Sequence, residues 1–325
     1  MADTSIKEVA GLAGVSIATV SRCINKPEKV SEQTRLKVLD AIQKTGYTPN
    51  ALAQRFRSGK TNQILVAVPS IGDPFFTKVM RGVRSAANAL GYSIVIRETR
   101  LGMMPAEEIN ATLESKQADG LVLLNNMTYV ARRLNGTNLP YEQPPAVHID
   151  NSAAAREMTE FLITEGHERI GMISGKKKPS FIERERGFRD TMRDAKLKIS
   201  RSWVVDSENS IDGAREAARK LLKCRQRPTA VFCVSDELAI GCMHEFQMTG
   251  LRVPEDISVV GFDDIRYAEV TNPPLTTMRQ PAEEMGARIV QKLCAAIHNK
   301  GSNGQDSEVV SHQLVSRGSV ARQKD

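Results

Sequence analysis

The chain has 325 residues, of which 41% are hydrophobic and 26% charged, and its formal net charge is +7. This is the composition of an ordinary globular protein, and the length allows more than one domain. No apolar run reaches membrane-spanning length, and residues 1–20 lack the apolar core of a signal peptide, so we expect a cytoplasmic protein.

The five cysteines form no C-x-x-C pair, and their number is odd. This pattern argues against a zinc knuckle or a disulfide framework, and it favours a reducing compartment. We therefore expect neither a bound metal nor a cofactor.

The positive charge is unevenly distributed. Residues 1–60 contain ten Lys or Arg and five Asp or Glu, so they carry five of the seven net charges. A small basic segment beside a nearly neutral remainder indicates a polyanionic partner for that segment. A solvated basic surface without a partner would have the same composition.

The stretch from Ser5 to Ile24 predicts two short helices joined by a tight turn. Ser5 and Glu8 have the spacing of a capping box, Gly14 suits the left-handed backbone of the turn, and Ser16 can cap the second helix. A helix-turn-helix of this length commonly places its second helix in the DNA major groove. A plain helical hairpin is the alternative.

A third helix is expected between Ser31, which can cap it, and Gly46, which can end it. Its apolar positions are Leu36, Val38, Leu39 and Ile42. We therefore assign residues 1–47 to a DNA-binding domain. Residues 48–60 form a basic linker with one aromatic residue, which either orders on DNA or acts as a flexible tether.

From Ile64 onward, apolar strands alternate with amphipathic helices, which indicates parallel α/β sheets. We assign 61–317 to a body of two lobes, with lobe one at about 61–150 and 280–305, lobe two at about 151–279 and 306–317, and a tail at 318–325. Residues 273–277 are expected as a crossover. The predicted strands are 64–69, 92–97, 120–124, 146–149, 169–173, 203–206, 229–234, 257–262 and 308–315, and the predicted helices are 75–90, 105–116, 152–165, 183–195, 212–224, 236–249 and 281–298.

Polar residues follow these strands directly, where open α/β sheets bind their ligands. Carboxylates and amides in these places suit a ligand with many hydroxyl groups, and Phe75 and Phe76 could stack on a sugar or a base. Turn and helix-cap roles are the alternative for each residue taken singly. The strand-end residues are Asp73, Asn125, Asn126, Asp150, Ser174, Ser235, Asp236, Asp263 and Asp264.

The sequence offers little that predicts an enzyme. It contains no phosphate-binding loop, no H-E-x-x-H and no G-x-S-x-G. The S-x-x-K match at 174–177 is weak because it follows a strand instead of opening a helix, and the five histidines show no ligand spacing. We therefore predict that the protein is not an enzyme.

Several longer motifs identify a family. The chain reads I-K-E-V-A-G-L-A-G-V-S-I-A-T-V-S-R at 6–22, G-Y-T-P-N-A-L-A at 46–53, D-P-F-F at 73–76 and R-V-P-E-D-I-S-V-V-G-F-D-D at 252–264. With these motifs it resembles the lactose-repressor (LacI/GalR) family of bacterial transcription regulators over nearly its whole length. D-P-F-F and residues 228–240 resemble the cytidine-repressor branch of that family.

The resemblance implies a homodimer that grips an inverted-repeat DNA operator. Ile17, Ala18, Ser21 and Arg22 would face base edges, with Arg22 suited to a bidentate guanine contact, and Ser16, Thr19, Asn25 and Ser31 would bind phosphate. The linker corresponds to the hinge helix of the family, which wedges a side chain into the minor groove. Its contact residues would be Asn50, Leu52, Ala53, Arg55, Phe56 and Arg57, with Phe56 where most members have leucine and Gln54 where many have arginine.

The resemblance also implies an effector site in a two-lobed fold of the periplasmic-binding-protein type. It carries over Asp73, Phe75, Asp150, Arg184, Ser235 and Asp263, with Arg184 matched through the R-x-x-G-F pattern. Phe76 and Asn125 complete the predicted set. The family usually has an additional apolar strand between Asn125 and Val147, where this chain has only the polar stretch 128–143.

We therefore predict a DNA-binding repressor that is gated by a sugar or a nucleoside. A solute-binding transport protein would explain residues 61–317 equally well, but it would leave residues 1–60 without a role. A sugar- or nucleoside-processing enzyme has only the carboxylates of the cleft in its favour.

Overall fold

The computed structural model describes residues 5–47, 60–99, 104–125, 127–131, 146–175, 178–298 and 307–323. It divides into two compact units, Met1–Thr61 and Asn62–Asp325, which we call the head and the body. Among the helices of the described residues, none has both the length and the apolar character needed to span a membrane.

The head consists of three helices, α1 (Ile6–Ala13), α2 (Ile17–Asn25) and α3 (Glu32–Thr45). The turn between α1 and α2 has Gly14 at φ 65°, and α3 ends at Gly46 with φ 64°, as predicted. The capping serines of α2 and α3 accept hydrogen bonds from backbone amides three residues on, which confirms both predicted caps. The buried side chains are those of Val9, Ala10, Ala13, Val20, Cys23, Val38 and Ala41.

Two expectations for the head were wrong. The side chain of Ser5 makes no capping bond, because the amide of Glu8 instead donates to the Ser5 carbonyl at 3.0 Å. Leu36 and Leu39 are 58% and 51% exposed, because the face of α3 that packs on the core is the one that carries Val38.

Lobe one of the body contains a four-stranded sheet in the order β2-β1-β3-β4. The first three strands are parallel, and β4, which lies in the stretch where the sequence predicted no strand, is antiparallel to β3 at the edge of the sheet. Lobe one also contains a two-stranded parallel pair, β5 with β11. Its elements are β1 (Gln63–Val68), α4 (Pro74–Ala89), β2 (Ser93–Glu98), α5 (Ala106–Glu114), β3 (Gly120–Leu123), β4 (Thr128–Ala131), β5 (Val147–Ile149), α10 (Ala282–His298) and β11 (Glu308–Val310).

Lobe two contains a six-stranded sheet in the order β12-β10-β9-β8-β6-β7, in which only β12 is antiparallel to its neighbour. Its strands follow helices in the alternation that the sequence predicted. Its elements are α6 (Asn151–Thr164), β6 (Ile170–Gly175), α7 (Pro179–Asp194), β7 (Val204–Ser207), α8 (Ile211–Leu222), β8 (Ala230–Cys233), α9 (Asp236–Met248), β9 (Ser258–Asp263), β10 (Thr276–Arg279) and β12 (Gln313–Val315).

The chain passes between the lobes differently from our expectation. The predicted crossover at 273–277 leads into β10, which lies beside β9 in lobe two. The single strand expected at 308–315 is two strands: β11 pairs with β5 of lobe one, and β12 pairs with β10 of lobe two. The change of sheet within a few residues breaks the strand. Helix α7 also begins earlier than predicted, at Pro179.

The expected tail is part of lobe two. The hydroxyl of Ser319 is buried and donates to the Val259 carbonyl at 2.6 Å, and the amide of Gln323 donates to the Glu165 carbonyl at 2.8 Å. His167 bonds to the Ala321 carbonyl at 3.1 Å. Residues 318–323 are therefore bound along the edge of the lobe.

Helices α4 and α10 cross at two glycines in lobe one. A Cβ added to Gly82 would lie 1.8 Å from the Glu283 carbonyl oxygen, and one added to Gly286 would lie 2.1 Å from that of Val79. Any larger residue at either place would force the two backbones apart.

We therefore expect Gly82→Ala to lower the free energy of unfolding of the body by about 1–3 kcal/mol or more. The matched control is Gly11→Ala, in the helix α1, where no atom lies within 4 Å of an added Cβ. It should stabilise the head by roughly 0.5–1 kcal/mol, because alanine favours helix. Urea unfolding followed by circular dichroism measures both. An unchanged unfolding curve for Gly82→Ala would contradict this packing.

Candidate functional site

One face of α2 in the head is turned to solvent. Ile17 is 42% exposed, Ala18 and Arg22 are exposed, and Ser21 is half-buried, whereas Val20 is fully buried in the head core. The side chains predicted to read base edges therefore share the outward side of the helix, near its first two turns.

The serines predicted to bind phosphate have structural roles as well. Ser16 Oγ accepts from the Thr19 amide at 3.1 Å and lies 2.9 Å from the Thr19 hydroxyl, and Ser31 caps α3 with the same pattern. The side chain of Asn25, at the end of α2, lies outside the description. The six hinge residues predicted to contact DNA, from Asn50 to Arg57, lie outside the described residues.

In the body, the guanidinium of Arg184 is held at the carboxyl ends of the lobe-two strands. The side chain projects from α7 and is only 3% exposed. It donates to Asn151 Oδ1 at 2.9 Å, to the Val234 carbonyl at 2.6 Å and to Asp263 Oδ1 at 3.4 Å, and it lies 3.5 Å from the centre of the Phe262 ring. Burial lowers its pKa, and the charge of Asp263 opposes that shift.

Asp263, the partner of Arg184, ends strand β9. It also accepts a hydrogen bond from Gln280 Nε2 at 2.6 Å. Burial raises the pKa of its carboxyl to about 6, although the charge of Arg184 favours the ionised form. Electrostatic repulsion from Asp73 of lobe one raises this pKa further.

Asp73 caps α4 by accepting from the Phe75 amide at 2.9 Å, and burial raises its pKa. The rings of Phe75 and Phe76 meet edge to face at 5.3 Å, but they differ in exposure. Phe76 is 8% exposed and packs in the core, whereas Phe75 is only partly buried. Phe75 is therefore the ring that remains accessible beside Asp73.

The other predicted ligand residues act as helix caps or lie without a described contact. Asp150 accepts from the Ala153 amide at 2.8 Å, and Ser235 accepts from the Leu238 amide at 3.4 Å while it donates to Asn209 Oδ1. Asn125 is half-buried directly after β3. The strand-end pattern thus includes ordinary helix caps.

Sequence reasoning missed four residues of this cleft. Lys178 and Glu237 both interact electrostatically with Asp73 across the cleft. Asn151 and Gln280 hold the buried ion pair from two sides. Glu237 and Asn151 each stand one residue after a predicted strand-end residue, so a wider reading of those loops could have found them. Gln280 had no such signal, because its strand was not predicted.

Comparisons with known proteins show the family of the chain. Residues 5–50 match the model of the bacterial regulatory proteins of the lacI family, and residues 159–320 match that of the periplasmic binding protein-like domain. The HTH-type transcriptional repressor CytR of Escherichia coli K12 is 33% identical, with 97% of this chain and 96% of that protein covered. The HTH-type transcriptional repressor PurR of Photobacterium profundum is also 33% identical, with 97% and 98% covered.

One solved structure has a similar fold. The lac repressor dimer, bound to operator and to the anti-inducer ONPF, matches with a TM-score of 0.83 and 25% identity. The match covers 98% of this chain and 99% of the lac repressor chain.

The Asp263 carboxyl should make the stability of the body depend on pH. Its pKa is about 6 in the folded protein, against an ordinary value of 3.8. The folded state thus binds the proton more tightly than the unfolded state. The resulting stabilisation, on the order of 1–3 kcal/mol, is complete below about pH 4 and is lost as the pH rises through 6.

Asp263→Asn cannot ionise and should lack this contribution. In urea unfolding between pH 4 and 7.5, the wild type should lose free energy of unfolding relative to this variant as the pH rises. Parallel curves for the two proteins would show that the Asp263 carboxyl has an ordinary pKa.

Proposed function

Because the chain belongs to the LacI family of bacterial regulatory proteins, and is thus a helix-turn-helix transcriptional regulator, we propose how its parts divide the work. The head reads an operator, residues 48–60 form the hinge, and the body of 61–317 binds a small effector that gates DNA binding. The observation that carries this proposal is one chain that unites an exposed recognition helix with a polar cleft between two lobes.

For the head, we take α2 as the helix that enters the major groove. Its exposed face presents Arg22, whose guanidinium can bind both acceptors of a guanine, a contact worth about 1–3 kcal/mol of discrimination. Ile17 and Ala18 supply apolar contact for thymine methyl groups. The basic charge of the first sixty residues supplies the affinity for phosphate that does not depend on sequence.

The operator is an inverted repeat because the regulator acts as a homodimer. The solved lac repressor relative is described as a dimer on operator. In this chain, strand β2 lies at the free edge of the lobe-one sheet, and Val95 and Ile96 on it are 40% and 50% exposed. An exposed apolar edge strand is a natural surface for a second copy of the chain.

For the body, the effector is a sugar or a nucleoside. The carboxyls of Asp73 and Asp263 and the amide of Gln280 face one cleft, and they accept and donate the hydrogen bonds that ring hydroxyls need. The accessible ring of Phe75 can stack on a sugar or a base. The predicted contacts of Phe76, Asn125, Asp150, Arg184 and Ser235 belong to the same proposal.

The relatives found are transcriptional repressors and not enzymes. We extend this to the chain itself and propose that it turns over no ligand. We also propose that it works in the cytoplasm, where the chromosome is accessible.

Operator binding tests the proposal directly. Inverted-repeat duplexes are first selected by the protein from a random pool, and binding is then measured by fluorescence anisotropy at several salt concentrations. Affinity should fall steeply with salt, and cytidine, adenosine or ribose should change it by roughly 5–150-fold if one of them is the effector. Failure of the protein to bind any duplex at low salt would refute the proposal.

Arg22→Ala should remove discrimination between the selected operator and the same duplex with one guanine changed. The expected loss is about 1–3 kcal/mol, because a bidentate contact is lost while the phosphate contacts remain. The matched control is Lys44→Ala, near the end of α3, where Lys44 pairs with Asp40 at 2.8 Å and with no other residue among those described. If Arg22→Ala discriminates as well as the control does, Arg22 does not read a base.

A further inference from the structure

Strand β9 ends in two residues with a left-handed backbone, although neither is glycine. The φ angle is 109° at Asp263 and 52° at Asp264. Such angles are unfavourable for L-residues and persist only where surrounding contacts hold them. The contacts that hold this bend are therefore part of how the cleft is built.

One set of contacts comes from Asp236, which is fully buried at the start of α9. Its carboxylate accepts from the Ile265 amide at 2.8 Å and from Thr277 Oγ1 at 2.5 Å. These two bonds tie the residue that follows the bend and the neighbouring strand β10 to one side chain.

A second set of contacts comes from the side chain of Asp264 itself. Its carboxylate accepts from Arg279 Nε at 2.6 Å and from Arg317 Nη2 at 2.7 Å. Arg279 is the last residue of β10, and Arg317 lies two residues after β12. These two bonds fix the side chain of Asp264. Its backbone carbonyl accepts a different hydrogen bond.

That partner is on lobe one. Nζ of Lys78 donates to the Asp264 carbonyl. Lys78 lies one turn after Pro74 at the start of α4. It is therefore close to the capping residue Asp73. The lobes thus meet where Lys78 of α4 bonds to the carbonyl of Asp264.

We propose that Lys78 and the Asp264 carbonyl form a latch that holds the two lobes of the ligand-free body together. The latch lies next to Asp263, whose carboxyl belongs to the proposed effector site, so a ligand bound there adjoins the point where the lobes are held. The proposal rests on the proposed function only in taking this cleft as the effector site.

A single hydrogen bond suits this role. A bond from an ammonium group is stronger than one between neutral groups, but Lys78 is only half-buried, so water can replace its partner at moderate cost. The latch can therefore open without unfolding of either lobe, and a modest change in this hydrogen bond shifts the balance between lobe spacings.

Amide hydrogen exchange on the full-length protein without ligand tests the latch. Lys78→Met and Lys78→Gln remove the donor charge and keep a side chain of similar length. We expect exchange about 3- to 10-fold faster than in the wild type in peptides that cover 73–80 and 263–268, because one charge-assisted hydrogen bond no longer opposes opening. Peptides from the core of lobe two should be unchanged.

Two controls bracket the effect. Lys78→Arg keeps a charged donor and should exchange nearly as the wild type does. Arg81→Met changes an exposed residue of the same helix that has no ion pair or hydrogen bond among the described residues, and it should also leave exchange unchanged. Equal exchange in the wild type and in both neutral variants would overturn the latch. Because the test uses neither operator nor effector, failure of DNA or ligand binding elsewhere would not produce that result.

Discussion

The cleft of this regulator depends on a buried cation, the guanidinium of Arg184. A charge removed from water is unfavourable unless its partners are complete. Here an amide oxygen, a backbone carbonyl, a carboxylate and an aromatic face surround it. These groups come from α6, from the end of β8 and from β9, so one side chain fixes the relative positions of three elements of lobe two.

The ion pair with Arg184 holds Asp263 next to Asp264, whose carbonyl bonds to Lys78 of lobe one. Its second partner, Gln280, belongs to the segment that leads from β10 to α10, and its neighbour Asp264 is bound by Arg279, which ends β10 just before that segment. Whatever occupies the Asp263 carboxylate therefore acts next to the connections between lobes. This gives a physical route from a small ligand to a change in lobe spacing, which is what allosteric control of an operator-binding dimer needs.

Much of this architecture could be predicted from the sequence. Helical periodicity predicted the helices of the head, and continuous apolar runs predicted most strands of both lobes, because these strands are largely buried between helices. The short strands β4, β10, β11 and β12 were missed or merged, since three or four residues carry too little pattern. The side-chain cap predicted at Ser5 does not form, because the Glu8 amide donates to the Ser5 carbonyl instead.

Residues of the candidate site could be predicted from the sequence alone only where they lie at the ends of strands. Asp263 ends β9 and Asp73 caps the helix that follows β1, so both lie near the carboxyl ends of strands. Arg184 was found only through the resemblance, because it lies inside a helix. Lys78 had no signal at all: a lysine on a surface helix looks like any other, and its partner is a backbone carbonyl 186 residues away.

The central claim is that Arg184 and Asp263 act as one unit at the mouth of the cleft, and a double-mutant cycle in urea unfolding tests it most directly. The wild type, Arg184→Met, Asp263→Asn and the double variant are compared at pH 7.5, where a carboxyl of pKa about 6 is ionised. We predict a coupling free energy of about 1–3 kcal/mol, with the double variant less destabilised than the sum of the single ones. Additivity within about 0.5 kcal/mol would contradict the account.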